Sequence, residues 1–495
     1  MAIKLVFLVI ALLYTVKAFE NPIVQTKTGK VEGKIKISKI GKKVEVWNSI
    51  PFAKPPLNEL RFLPPQPIDN WDGVLDTRPL PNACFQKDDQ AMEGWKLNVP
   101  VSEDCLYLTV VTPHPRPKNA AIMFWLYGGA FYIGSSTLEL YDYSTFSSVT
   151  DVIVVAPQYR LGPFGFLATE NNEVIGNAGL RDQNLALKWI HDNIVNFGGD
   201  PSKITLMGES SGSASVGFHL MSPMSKSLFS QGIMESGVPT NLWAIQDKQK
   251  SSKSTIKLAE NVGCLNHEDN MSKVIKCLQK IDPNEISKHS VGLNVTDSTI
   301  DVFLPTVDGE FITEEPHHFF SNHHNKMNKN ILIGSTKEEG ALILSSALPY
   351  SFPSKSKKSV ISRVIFNLVT DLINRKYHES IVNLINYEYT PWENIDDNIG
   401  NLMGLTNMIS DSYFTCDINE FADLIAWKSR KKVYKYLFSH HSSQSHLPEW
   451  TSATHADDLF YVFGAGFNPN GNYTEEEKVL SMQTMLYFGN FVKNG

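Results

Sequence analysis

Ser210 stands in Gly208-Glu209-Ser210-Ser211-Gly212, between the apolar run Ile204-Thr205-Leu206-Met207 and a small-residue helical segment through Leu220. A serine between two glycines at a strand-to-helix junction marks a nucleophile on a sharp turn. The glycines let strand and helix crowd together, and the strained serine is thrust out where a base can reach it. A serine hydroxyl attacks only when a base takes its proton and a carboxylate orients that base. Downstream, Glu339 lies in Gly334-Ser335-Thr336-Lys337-Glu338-Glu339-Gly340, just after a β-like run at Asn330 to Ile333. The carboxyl ends of strands are where open α/β sheets carry their active residues. His455 follows Pro448 to Thr454 and opens His-Ala-Asp-Asp-Leu-Phe-Tyr-Val-Phe-Gly. Upstream, Gly128-Gly129-Ala130 ends the apolar run Ala120 to Leu126. A glycine-rich turn there can aim N–H groups at a developing oxyanion, each donor worth ~10² to 10³ in rate. Any one of these pieces arises by chance, and most of the 14 histidines, such as His317-His318 and His323-His324, read as exposed loop residues. Serine, carboxylate and histidine in that order, behind a glycine-rich turn, spell acyl transfer.

Such a site needs a rigid scaffold. Ala120 to Leu126 and the run within Asp151 to Pro157 are short, apolar and β-rich, as strands buried on two faces should be. Asn184 to Asn196 has helical apolar spacing, further β runs stand at Asn330 to Ile333 and Lys432 to Phe438, and Ser354 to Ile385 reads as mainly helical. Strands alternating with helices predict an α/β fold with a large, mostly parallel sheet. The 495 residues are 42% hydrophobic and 20% charged with a net charge of -7, which excludes a disordered chain and the basic footprint of a nucleic-acid binder. No spacing of histidine or cysteine predicts a metal site, and no cofactor motif stands out.

The N-terminus reads as a secretory signal over residues 1–18: Lys4, an apolar core from Leu5 to Val16, and the cleavage pattern Val16-Lys17-Ala18. That core is too short to span a bilayer, and no later stretch is long enough. The expected product is secreted or lumenal. In an oxidising compartment Cys84 with Cys105, and Cys264 with Cys277, become candidate bridges over short loops, each worth roughly 3 kcal/mol. Cys416 is left over. Asn270, Asn294 and Asn472 open glycosylation sequons.

The chain resembles the type-B carboxylesterase and cholinesterase family of α/β-hydrolases from about Gly29 to its end. The resemblance rests on Ile50-Pro51-Phe52-Ala53, Ser102-Glu103-Asp104-Cys105-Leu106-Tyr107-Leu108, Tyr159-Arg160-Leu161-Gly162, Phe197-Gly198-Gly199-Asp200-Pro201 and the serine elbow. It implies Ser210 as nucleophile, His455 as base and then acid, and Glu339 as the orienting carboxylate, at the base of a gorge. It further implies N–H donors at Gly129, Ala130 and Ser211, Glu209 beside the nucleophile, and Ser236 behind the triad. Disulfides Cys84–Cys105 and Cys264–Cys277, and ion pairs Arg61–Glu103 and Arg160–Asp182, are implied likewise. The hydrolase domain would run from 19 to 495 and lack a C-terminal segment, including a partner for Cys416. Two other departures are Ala130, where the family has a third glycine, and Ser211, where alanine is common.

The small-molecule substrate is expected to be a carboxylic ester. Trp95, Glu209, Trp243 and Trp450 favour a narrower choline-ester hydrolase, since an aromatic wall binds quaternary ammonium by cation–π contact. Against it, Thr299 to Pro305 lacks an aromatic acyl-pocket pair, and Leu342 stands where an aromatic is expected. The remaining alternative, a non-catalytic adhesion module, is disfavoured by the retained triad. Oligomeric state is not legible.

Overall fold

The computed structural model describes residues 21–87, 95–265, 270–290, 303–322, 327–348, 361–374 and 377–495. The expected signal at 1–18, the sequon at Asn294, and Thr299 and Asp301 lie outside the described residues.

The run Ala120–Leu126 forms a strand whose alternate side chains enter two different cores. Ile122, Phe124 and Leu126 join one apolar cluster, while Ala121, Met123 and Trp125 join the other. Ile153–Pro157 divides likewise, with Ile153 and Val155 on one side and Val154 and Ala156 on the other. This is why both read as continuous apolar runs rather than alternating ones. They lie inside a nine-stranded sheet. In chain order its strands are β1 (Lys34–Ile37), β2 (Lys43–Pro51), β3 (Tyr107–Pro113), β4 (Ala120–Leu126), β5 (Ile153–Pro157), β6 (Gly199–Glu209), β7 (Gln231–Glu235), β8 (Asn330–Thr336) and β9 (Val433–Phe438). Their spatial order is β9-β8-β7-β6-β4-β5-β3-β2-β1. Pairing is parallel from β9 to β5 and antiparallel from β5 to β1. The expected mostly parallel sheet is present, with an antiparallel edge added.

Helices cover both faces. Those that bear on the site are α1 (Ala178–Asn193), α2 (Ser211–Met221), α3 (Glu339–Ala347), α4 (Arg363–Asn374), α5 (Glu379–Glu388), α6 (Asn398–Ser410), α7 (Cys416–Lys428), α8 (Asp457–Val462) and α9 (Glu475–Asn494). Helix α1 starts earlier than its apolar spacing suggests and ends in a 3-10 turn over Ile194–Phe197. The described part of the stretch expected to be helical over 354–385 forms α4 and the start of α5. A third apolar cluster joins Phe366, Leu402, Leu405 and Met408 to Leu344 of α3. Helices α6 and α7 are one rod interrupted by a π turn at Asp411–Thr415. No helix among the described residues is long and apolar enough to cross a membrane.

Both disulfides form, Cys84–Cys105 and Cys264–Cys277, and Cys416 is an exposed free thiol. Arg61 grips Glu103 with two hydrogen bonds of 2.6 Å, and Arg160 grips Asp182 at 2.8 and 2.7 Å. Removing one partner of the Arg160–Asp182 pair would cost ~3–5 kcal/mol, since the other charge would be stranded in the interior.

Glu477, in the first turn of α9, is an acceptor hub. It closes a capping box with Thr474 and receives Ser443 N–H at 2.7 Å, Ser443 Oγ–H at 2.5 Å and Tyr461 O–H at 2.9 Å. His440 Nε2 lies 3.2 Å away. Burial opposes its charge, but the Ser443, Thr474 and His440 donors outweigh that and hold the carboxyl down to about 2. Helix α9 thereby fixes the loop between β9 and His455.

Candidate active site

Strand β6 ends at Glu209 and helix α2 begins at Ser211, so Ser210 must turn the chain within one residue. It does so at φ 55° and ψ -122°. The flanking glycines are required by close approach. A Cβ at Gly208 would stand 2.4 Å from the Gly212 backbone, and one at Gly212 would stand 2.0 Å from the Leu126 carbonyl oxygen. The Ser210 N–H donates to the Glu235 carbonyl at 2.8 Å, which ties the elbow to the neighbouring strand.

Glu339 opens α3 just beyond β8 and is fully buried. Its Oε1 accepts Ser236 Oγ–H at 2.6 Å and Thr336 N–H at 2.7 Å, and its Oε2 lies 2.6 Å from His455 Nδ1. The adjacent Glu338 faces elsewhere: its Oε2 accepts Ser452 N–H at 2.8 Å and its backbone N–H bonds Ala453. The structure thus brings Glu339, Ser236 and His455 together and uses Glu338 to hold the loop that delivers the histidine.

Ser210 Oγ makes no hydrogen bond to His455 or to any other described residue. Instead His455 Nε2 stands 3.1 Å from Glu209 Oε1. The approach lacks hydrogen-bond geometry, and both Glu209 oxygens are buried without a donor. Burial pushes the Glu209 carboxyl up to about 8, against the pull of the imidazole and helped by Asp458 and Glu339. Burial also disfavours the His455 imidazolium, yet Glu209 and Glu339 outweigh it and push that group up to about 9. Around neutral pH, Glu209 and His455 compete for protons at the nitrogen that faces the elbow.

The turn upstream is also held at positive φ. Gly129 has φ 121° and Ala130 has φ 57°. A Cβ at Gly129 would strike the Ile133 carbonyl oxygen at 2.1 Å, so only glycine fits; Ala130 carries a methyl in the left-handed region. A Cβ on Gly128 would come within 3.0 Å of Ser210 Cβ, which places this turn against Ser210. The N–H groups of Gly129, Ala130 and Ser211 bond to no other group among the described residues, which leaves all three as candidate donors to a substrate oxygen.

The pocket residues are less closely gathered. Trp243 is buried, donates Nε1–H to the Tyr413 carbonyl at 2.8 Å and packs on Phe414 with ring centroids 5.6 Å apart. Phe414 in turn packs on His455 at 4.6 Å. Trp95 is half-buried against the core cluster that contains Trp125 and Tyr141. Leu342 is half-buried on α3. Asn270 and Asn472 are exposed, and Asn270 caps a helix by accepting Lys273 N–H at 3.0 Å.

Three residues beside the site have no part in the sequence reading. Phe414 reaches His455 because the π turn shifts the register of the α6–α7 rod, and nothing local announces it. Glu235 and Asp458 are buried carboxyls. Glu235 ends β7 at the position paired with Glu209, and this row continues across the sheet through Gly334 to Tyr436. Asp458 Oδ2 accepts Tyr436 O–H at 2.8 Å. A charged residue closing the apolar pair Ile233-Met234 is the one available signal for Glu235.

Comparison with known proteins places this geometry. Residues 20–495 match the model of the carboxylesterase family. The chain is 37% identical over 480 residues to the acetylcholinesterase of Bungarus fasciatus, covering 95% of this chain and 78% of that one. It is 38% identical over 489 residues to the cholinesterase of Mus musculus, covering 96% of this chain and 79% of that one.

Proposed function

We propose that this chain, which belongs to the carboxylesterase family and is a carboxylic-ester hydrolase, acts on small esters through an acyl-enzyme on Ser210. His455 Nε2 takes the hydroxyl proton as Oγ attacks the carbonyl carbon, and the N–H groups of Gly129, Ala130 and Ser211 receive the oxyanion. The tetrahedral intermediate collapses as the imidazolium returns that proton to the leaving alkoxide, and the alcohol departs. Water then repeats the sequence on the acyl-enzyme and frees the acid. Glu339, with its two further donors, holds the imidazole and carries the charge that balances the imidazolium. The observation that carries this reading is the 2.6 Å contact between His455 Nδ1 and Glu339, beside an elbow serine at positive φ. A fluorophosphonate probe should label wild type at Ser210 and leave a folded Ser210→Ala protein unlabelled and at least ~10⁴-fold slower. Substantial turnover by that variant would refute the assignment.

The preferred substrate in this reading is a short neutral ester. A choline ester needs an aromatic cage, and Leu342 offers no π face; such a contact in a desolvated site is worth ~2 kcal/mol, roughly thirty-fold in affinity. The choline-ester alternative is favoured by Trp95, by Glu209 and by the two cholinesterase relatives. Comparing kcat/KM for acetylcholine and its uncharged isostere decides between them. A preference above ~10² for the charged ester would establish the alternative. The two disulfides support action in the secretory lumen or outside the cell.

A further inference from the structure

Five carboxyl oxygens behind the elbow are buried and accept no hydrogen bond: both of Glu209, both of Glu235, and Oδ1 of Asp458. Glu209 and Glu235 are opposed residues on adjacent parallel strands, so their side chains leave the same face of the sheet. Asp458 approaches that face from α8, and Gly334, lacking a side chain, lets the Tyr436 ring lie between. A Cβ at Gly334 would meet that ring at 2.3 Å. Among the described residues no lysine or arginine pairs with any of the three carboxyls. The groups that face them are His455 and Glu339 from the triad side, Tyr436 from β9, Asp457 from α8 and Tyr141 from the core on that same face. One imidazole cannot balance three adjacent carboxylates in a dry interior, and like charges so placed cannot all ionise.

We propose that Glu235 is a neutral carboxylic acid in the working protein, the proton holder of the cluster, and a positioning residue that acts through Glu209. Its single O–H supplies a donor to a cluster whose oxygens accept from no other described group, and Glu209, its register partner, is the acceptor assigned to it. By stabilising charge on Glu209 it sets how much negative field reaches His455 Nε2, and hence the pH at which that nitrogen is free to act as a base. Burial, then Asp458 and Glu209, pushes the Glu235 carboxyl well above the usual carboxylate range, in keeping with this geometry. The kinetic part rests on the esterase reading above; the protonation of Glu235 does not.

Two measurements test it. At about pH 8 ordinary carboxyls are ionised, so infrared spectroscopy reads a neutral acid by its C=O stretch. Wild type should show protonated-carboxyl intensity, part of it from Glu209, and Glu235→Gln should lose the share of one carboxyl; an unchanged band would overturn the proposal whether or not the protein turns over esters. In kinetics on a neutral ester, Glu235→Gln keeps a neutral donor and should hold the acid limb of kcat/KM within about 0.3 pH unit of wild type. Glu235→Met removes the donor, so Glu209 keeps its proton to higher pH and the limb should fall by about one unit. Equal shifts in both variants would mean that Glu235 carries charge, and no shift in either would mean that it only fills space; both outcomes overturn the proposal. If the Met variant fails to fold, a shift of about one unit in Glu235→Gln alone refutes it.

Discussion

Replacing Glu209 by glutamine should move the acid limb of kcat/KM to lower pH. Glu209 Oε1 stands 3.1 Å from His455 Nε2, the nitrogen that in the proposed mechanism must be unprotonated to accept the serine proton. Two full charges at that distance, with an effective dielectric of about 20, attract by about 5 kcal/mol, a ceiling of about four pH units. The real shift is smaller because Glu209, pushed up to about 8 by burial, is largely neutral through much of the range in which activity would rise. Glutamine keeps the size and removes the charge. Burial then still pulls His455 down, and only Glu339 and, less strongly, Asp458 act to raise it. We expect the limb to fall by about one to two units, measured as kcat/KM against pH for an uncharged aryl ester at fixed ionic strength. On the alkaline plateau, where His455 is neutral in both proteins, kcat should differ little. A cationic ester run in parallel should lose kcat/KM relative to its neutral isostere, since the pocket has lost its charge. A limb that stays put, or moves upward, would show that Glu209 does not govern the base and would refute the reasoning.

The adjacent glutamates separate cleanly. Glu339→Gln should lower kcat by ~10³–10⁴ because the imidazolium loses its charged partner, whereas Glu338→Gln should stay within about threefold, since an amide oxygen still accepts Ser452 N–H. Steady-state assays on both variants check this. Thiol titration of the denatured, unreduced protein should find one reactive thiol, Cys416; finding none would mean an intermolecular bridge. In the native protein that thiol, though exposed, should react slowly near neutrality, because partial desolvation, then the Asp411 and Asp417 charges, pushes it up. Glu477→Gln should destabilise by about 2–3 kcal/mol through its lost charged hydrogen bonds, read by thermal melts. Because the folded-state carboxyl sits at about 2, this stabilisation is complete above the ordinary glutamate value of about 4.3. It is lost as pH falls toward 2, so the two melting curves should converge in acid.

What the sequence reveals and what it withholds divide along a physical line. The elbow is legible because its demands are local: a turn that brings Gly212 within 2.0 Å of a carbonyl tolerates no side chain, so the glycines are written into the chain. Strands β4 and β5 are legible because burial on two faces forces an unbroken apolar run. The disulfides are legible because their loops are short, and Glu339 because it follows a strand end. Glu235 and Asp458 are not, since their partnership arises from the register of β6 to β9, which no single segment encodes. Phe414 is hidden for a related reason: a π turn inserts one residue into an otherwise ordinary helical rod. The antiparallel edge, β1 to β3, lies in a region of short β patterns whose order no local signal fixes.

The Glu477 hub also orders events in time. A chain emerging from the ribosome presents the serine elbow, its glycine-rich turn and most of the parallel sheet long before α9 exists. The loop that carries His455 is clamped by Glu477, which is translated after it. A nascent chain of that length therefore holds Ser210 before the loop that seats His455 is clamped. On the proposed mechanism, a chain stalled or clipped before that helix would carry an intact elbow and stay inactive toward esters until α9 docks.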